Sequence, residues 1–344
     1  MNINRNKIFL LIFTGIHLCT ANALIDAANT AFGKKEFAKA EILLKQAEKA
    51  GANKAIVAFN LGNLYYYWDK PGEAIAQYEQ VILLAPAFKD SYMNLGKINY
   101  LYGNYTEALD YFFSYHHVDP KDEETILLIA DVFKAMRIYD EAEIWYRKAI
   151  DNNPASPDVY IASSFLYTDL NDNFKASQII ASGLERNPEN HTLMEHQAQL
   201  FKEMEMYRES AGIFQSIIST TTNRRPEKLY DLNYQMADSL YLAGFTNLSV
   251  YTLEECIQID SEKTQAIDFL EMILYTQKAW ERLLGLFTAL YPQNRTRAYL
   301  GLRKLFQSAY NERQSLIVSE LLTFYEKNNI RDDLYLMIKN TAGQ

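Results

Sequence analysis

Cysteine is almost missing from this chain: 344 residues hold two, Cys19 and Cys256. That excludes a disulfide framework and any paired-cysteine metal or redox motif. Glycine and proline are also scarce, at 13 and 8, and no polar low-complexity stretch occurs, so neither a disordered nor a collagen-like chain is expected. Glycine-rich phosphate loops and nucleophile elbows are absent too. The five histidines are badly spaced for metal. His116-His117 point about 100° apart on a helix, and His191 and His196 miss the four-residue spacing that puts two ligands on one face. His17 lies near the N-terminus. The chain is therefore expected to be no enzyme, with no catalytic residue, metal or cofactor. Its formal net charge of −9 also argues against nucleic acid or anionic lipid as partner.

The longest apolar run of the N-terminus, Ile8 to Leu18, is too short to span a bilayer, for which roughly 20 residues are needed. Arg5 and Lys7 precede it and Ala21-Asn22-Ala23 follow it. That order is the pattern of a secretory signal cleaved after Ala23, leaving a periplasmic or secreted mature chain with no membrane span. A lipoprotein signal using Cys19 is disfavoured by bulky Leu18, where such sites want a small side chain. Cleavage removes two positive charges and no acids, so the formal charge moves from −9 to −11. Cys256 would be left as a buried structural thiol.

What the chain does have is a period. Pro86, Pro120, Pro154 and Pro188 fall 34 residues apart, and so do Ala40, Ala74, Ala108, Ala142 and Ala176. With units starting at Ala21, Ala55, Lys89, Glu123 and Pro157, position 8 is small (Ala28, Gly62, Gly96, Ala130, Ser164) and position 24 is large and apolar (Leu44, Tyr78, Phe112, Tyr146, Ile180). Small residues facing large ones at fixed spacing let two antiparallel helices approach closely. Proline then closes the second helix. Each unit reads as helix, turn, helix, stop. Turn residues such as Lys70-Pro71-Gly72 and Tyr102-Gly103-Asn104 sit between the two helices. The paired acids Glu254-Glu255 and Asp122-Glu123-Glu124 fall near helix ends or on solvated faces in this register.

The stretch Asn60-Leu61-Gly62 through Glu73-Ala74-Ile75 to Tyr78 and Pro86 resembles the tetratricopeptide repeat, as does Asn94-Leu95-Gly96 through Glu107-Ala108-Leu109 to Pro120. The resemblance implies an all-α fold, a right-handed superhelical solenoid of antiparallel helix pairs. The expected organisation is a signal at 1–23, six repeats over 24–217 and an irregular insertion at 218–229. Divergent repeats over 230–327 follow, then a capping helix and tail at 328–344. Glu271 and Leu283 break the pattern where small residues belong, and Leu334, Leu336, Met337 and Ile338 mark the cap.

In this family the first helix of each unit lines a concave groove, through positions 2, 5, 6, 9, 12 and 13. The resemblance assigns to it Asn29, then Phe59, Asn60, Asn63, Tyr66 and Tyr67, then Met93, Asn94, Lys97 and Tyr100. Asparagine amides offer donors and an acceptor to an extended peptide, and tyrosine offers apolar area with a polar tip. The family's best-known pocket grips a peptide carboxylate through asparagines and basic residues. Asn63 and Asn94 match its asparagines, but Phe59, Glu124 and Leu128 stand where bases belong, so that activity is not implied. Across eight units the groove positions hold eleven acids, among them Asp90, Glu124, Asp131, Asp158, Asp169 and Asp238, against Lys97, Lys134 and Lys202. An acidic trough suits a basic or amide-rich partner. The expected function is a non-enzymatic protein-binding scaffold organising an envelope assembly. The alternatives are a carrier of an apolar or sugar-like ligand in the aromatic groove from Phe59 to Tyr100, and a homo-oligomer joined through an exposed Trp280 and Phe287.

Overall fold

The computed structural model describes residues 20–221 and 225–342, and within them every regular element is a helix. One compact unit ends at Leu170. It pairs α1 (20–33) with α2 (Phe37–Lys49), α3 (Lys54–Tyr67) with α4 (Pro71–Leu84), α5 (Lys89–Leu101) with α6 (Tyr105–Val118) and α7 (Glu123–Ala135) with α8 (Tyr139–Asn152), and closes on α9 (Pro157–Asp169). The second unit begins at Asn171 with α10 (Asn173–Arg186). It then pairs α11 (His191–Glu203) with α12 (Tyr207–Thr220), α13 (Pro226–Leu242) with α14 (Thr246–Ile259), α15 (Thr264–Thr276) with α16 (Trp280–Leu290) and α17 (Arg295–Asn311) with α18 (Ser315–Lys327), and ends on α19 (Asp333–Ala342). Each unit is a helical solenoid whose core runs along the stack.

The turn inside each pair is made by a single left-handed residue. Lys35, Asp69, Gly103, Arg137, Asn171 and Glu205 have φ between 58° and 76°, at strict 34-residue spacing, and Gly244, Lys278 and Arg313 continue the series. The prolines act one step later than a helix-breaking role suggests. The second helices end at Leu84, Val118, Asn152 and Arg186, and the next residues, Ala85, Asp119, Asn153 and Asn187, have already left the α region, at φ −132° to −147° and ψ 68° to 81°. A following proline forbids the α conformation to the residue before it, so the chain leaves the helix there.

Ala74, Ala108 and Ala142 are fully buried against their partner helices. A Cβ on Gly62 would lie 2.6 Å from the Tyr78 ring, and one on Gly96 would overlap the Phe112 ring, so in these units the ring lies on bare backbone.

Three expectations need correction. Of the described residues in the segment at 218–229, all but Thr221 and Arg225 are helical: α12 runs to Thr220, and α13 begins at Pro226, giving it 17 residues against 13 in α11. Pro226 sits at the first helical position, where its missing N–H is not needed. In the cap, α19 buries Leu334, Tyr335 and Ile338, while Leu336 and Met337 are exposed at 54% and 42%. Phe287, which the homo-oligomer alternative needs at the surface, is ordinary core and fully buried, and Trp280 is half-buried against Tyr275 at 5.8 Å. With Glu271 occupying the small position of α15, the Phe287 ring lies instead on Gly301 of α17. α16 accordingly packs more closely on α17 than on α15. Residues 1–19, which hold most of the predicted signal and Cys19, lie outside the described residues. The predicted cleavage point after Ala23 falls inside α1, whose Ala21 is buried.

Candidate functional site

The side chain of Asn53 accepts from the backbone N–H groups of Ala55 and Ile56 at 2.9 and 3.3 Å, fixing the start of α3. This helix carries Phe59, Asn60, Asn63, Tyr66 and Tyr67; α1 carries Asn29, and α5 carries Met93, Asn94, Lys97 and Tyr100.

Asn29, Asn60 and Asn63 converge. They line a cleft of about 120 Å³ whose apolar part is Ala28, Phe32, Ala40, Leu44 and Leu64. Asn63 Oδ1 accepts the Tyr78 hydroxyl at 2.7 Å and the Asn94 amide at 3.4 Å. Tyr66 and Tyr67 meet edge to face at 5.4 Å, and Tyr67 meets Phe32 edge-on at the same distance. Their exposures are 41% and 66%.

Two predicted groove residues, Met93 and Phe59, face elsewhere. Met93 is 7% exposed and packs in the core with Ala108, Leu109 and Phe112. Phe59 lies against Tyr78 and Phe88 at 5.8 and 4.7 Å. Both stand at position 5, one turn before the small residue at position 8, so they share the face that meets the second helix. Tyr100 is half-buried with its ring 5.9 Å from Tyr105, and burial raises its hydroxyl pKa.

A pairing that the sequence reading missed recurs inside the units. The Tyr146 hydroxyl donates to Asp131, 15 residues upstream, as Tyr78 does to Asn63. Where position 24 is Phe112, without a hydroxyl, position 9 is Lys97. The signal was readable: tyrosine at position 24 goes with an acceptor at position 9. Burial pushes the Asp131 carboxyl above its ordinary range, opposed by the Tyr146 hydrogen bond and then by Lys134.

Residues 59–116 and 123–156 match family models of the tetratricopeptide repeat. These two stretches are tetratricopeptide repeats. No curated protein matches the chain. Among solved structures, MamA is 20% identical, covering 47% of this chain and 94% of that one, with a TM-score of 0.42. A tetratricopeptide repeat protein from Parabacteroides merdae ATCC 43184 is 16% identical over 74% of this chain and 99% of that one, at 0.48. The pilF protein of Pseudomonas aeruginosa is 15% identical over 60% and 93%, at 0.45. Likeness at this level carries no functional argument.

The charge on the predicted groove positions is partly compensated. Lys97 pairs with Glu124 at 2.5 Å, Lys134 with Asp169 at 3.4 Å, and Lys202 with Asp238. Further acids are met by bases from outside those positions, as Glu195 by Lys228, Asp231 by Lys263 and Asp268 by Arg297. The acidic trough expected from a census of positions is thus in good part a ladder of ion pairs from one repeat to the next.

The second unit contains a larger cleft, about 840 Å³, between α12, α13 and α14. Its apolar lining includes Ile218, Met236, Leu240, Phe245 and Leu248, and its polar members include the charged Arg208 and Glu255 beside Gln215 and Asn233. It lies where the extra turn of α13 lengthens the wall.

Proposed function

We propose that the chain is a non-enzymatic protein-interaction scaffold, exported to the cell envelope, that binds an extended, amide-rich segment of a partner on the face made by α1, α3 and α5. The tetratricopeptide repeats support the protein-binding class, and the Arg5–Ala23 sequence pattern supports export. One observation carries the location: Asn29, Asn60 and Asn63 are gathered around one cleft beside the exposed rings of Tyr66 and Tyr67. Amides on a rigid helical face can bond a peptide backbone in both directions, and the tyrosines add anchoring area. Ion pairs take up part of the charge at these positions, while acids such as Asp90 and Asp158 keep the face negative, so binding of a basic or amide-rich segment is expected to weaken as salt rises.

The test is affinity capture from native envelope extract, comparing wild type with an Asn60→Ala, Tyr66→Ala, Tyr67→Ala variant of equal melting temperature. A protein retained by the first and lost by the second supports the reading. Equal retention moves the site to another surface.

The carrier reading moves from the aromatic groove, whose Phe59 packs against Tyr78 and Phe88, to the 840 Å³ cleft of the second unit. Its size and apolar lining fit a small-molecule site. Co-purification of a low-mass apolar compound, displaced by Met236→Trp, would favour that reading.

A further inference from the structure

Position 22 of the repeat carries a side chain in the first five units, as Ile42, Ala76, Asp110, Ile144 and Gln178. In the sixth it is Gly212, inside α12. Glycine weakens a helix interior relative to alanine. A Cβ built on Gly212 would meet nothing within 4 Å, so no contact among the described residues calls for its absence. What the missing side chain leaves is room, because Gly212 lines the 840 Å³ cleft between α12, α13 and α14.

That cleft is a slot with unlike ends. The three helices alternate in direction, so Arg208, Leu240 and Phe245 share one end while Ile218, Leu229 and Ile259 share the other. From Arg208 to Ile218 the rise of α12 gives it a length of about 15 Å. Its apolar surface is open to an incoming group: Leu248 is 56% exposed, and Leu229, Leu240, Phe245 and Ile259 are half-buried. The Arg208 guanidinium lies over the Phe245 ring at 5.0 Å, which holds it at its end of the slot. No carboxylate among the described residues is ion-paired with it, not even its sequence neighbours Glu205 and Glu209, whereas Lys202 has Asp238, Lys228 has Glu195 and Arg282 has Glu254. The acid among the lining residues is Glu255. Since α12 starts at Tyr207 and α14 at Thr246, Glu255 stands two turns past the level of Arg208, about 12 Å further along.

We infer that this cleft binds a single-chain amphiphile with an anionic head, such as a fatty acid, its carboxylate on Arg208 and its chain lying past Gly212 towards Ile218, Leu229 and Ile259. The inference rests on the carrier reading above for there being a ligand, and adds its chemical class. A guanidinium and a carboxylate in contact form the strong, charge-assisted kind of hydrogen bond. Glu255 lies beyond a Debye length of that head at physiological salt, and it turns the head away from the apolar end. The chain's formal charge of −9 acts only through screened solvent. A cationic head placed at Glu255 would run its chain into the Arg208 guanidinium and leave the apolar end empty, so the anion is selected.

The experiment titrates decanoate, decanol and decyltrimethylammonium, each below its micelle-forming concentration, into wild type, Arg208→Gln and Gly212→Leu, with binding followed by calorimetry. Wild type is expected to bind decanoate about tenfold more tightly than decanol, the ratio of one charge-assisted hydrogen bond, and the ammonium more weakly than either. Arg208→Gln should bind decanoate no better than decanol. Gly212→Leu, which fills the slot from its wall, should bind neither while melting no lower than wild type. Equal binding of decanoate and decanol by wild type, or tighter binding of the ammonium, overturns the anionic head and leaves the carrier reading standing. Decanoate bound by Gly212→Leu as tightly as by wild type overturns the location. No saturable binding of any of the three overturns the inference and the carrier reading together. Sedimentation with phosphatidylglycerol vesicles is the last arm: protein that pellets with them yet binds no free decanoate recognises a membrane surface, and the slot assignment falls.

Discussion

The hydroxyl of Tyr78 donates to Asn63 Oδ1 across 2.7 Å, tying the second helix of a repeat to the first helix of the same repeat. Tyr146 and Asp131 repeat the tie two units later with a carboxylate as acceptor. A neutral acceptor and a charged one in the same position allow their contributions to be compared directly.

Tyr78→Phe removes a neutral hydrogen bond and should cost about 1 kcal/mol, whereas Tyr146→Phe takes a donor from a desolvated carboxylate and should cost about 2–3 kcal/mol. Chemical denaturation of the two variants measures both. Equal losses would mean that Asp131 is neutral in the folded state.

The Asp131 carboxyl has a raised pKa because it is buried. Its folded pKa lies above the unfolded value, so the folded chain holds its proton more tightly. The carboxylate therefore detracts from stability above the folded pKa, and that penalty fades as pH falls through the folded value towards the unfolded one, near the ordinary aspartate value of 3.8. Asp131→Asn, which copies Asn63, should be more stable than wild type at pH 7, with the difference shrinking on acidification. Melting curves across that range show the sign, and a difference that grows on acidification would refute it.

A Cβ added at Gly62 would meet the Tyr78 ring, while one at Gly72, in the exposed first turn of α4, meets nothing within 4 Å. Gly62→Ala should destabilise by about 1–3 kcal/mol through overpacking. Gly72→Ala should be neutral or stabilise by up to about 1 kcal/mol, through a helix-favouring side chain. Differential scanning calorimetry of the pair checks the contrast.

Arg137 makes its turn at φ 61°, where an L side chain crowds the backbone by about 1–2 kcal/mol and glycine does not. Glycine's greater freedom in the unfolded chain offsets part of that relief, so Arg137→Gly should raise stability by about 0.5–1 kcal/mol. A lower melting temperature would show that the arginine side chain contributes more than its backbone costs.

Glu271 stands where the repeat pattern wants a small residue, yet it is 5% exposed and paired with both Arg297 and Lys304. Glu271→Ala restores the pattern and should nonetheless destabilise by about 1–2 kcal/mol, because the half-buried Arg297 is left with Asp268 as its carboxylate partner and Lys304 loses its own. Urea unfolding would reveal a gain in stability if pattern matters more than pairing.

The helix pairs were legible because their code is redundant: alanine at position 20, a small residue at 8, a large one at 24 and proline at 32 recur together. The left-handed turn residues were less so, since Lys35, Arg137 and Glu205 have no side-chain signature of positive φ. Pro226 was read as a loop residue, although proline suits a helix start equally well. In the candidate site, Asn29, Asn60 and Asn63 were found by register, while Phe59 and Met93 were misplaced. A helix face has no sharp edge, and position 5 borders both groove and core. The count of groove acids held, but it did not show that Lys228, Lys263 and Arg297 reach some of them from other positions.

The seating of Phe287 on Gly301 bears on the order in which the chain comes apart. In the second and third repeats each large ring closes on its own partner helix, so a repeat can open while its neighbour holds. At the end of the chain the ring of one repeat is held by the backbone of the next, and α16 cannot be released without disturbing α17. Amides of α16 and α17 are therefore expected to exchange hydrogen at one common rate, whereas those of α4 and α5 exchange at separate rates.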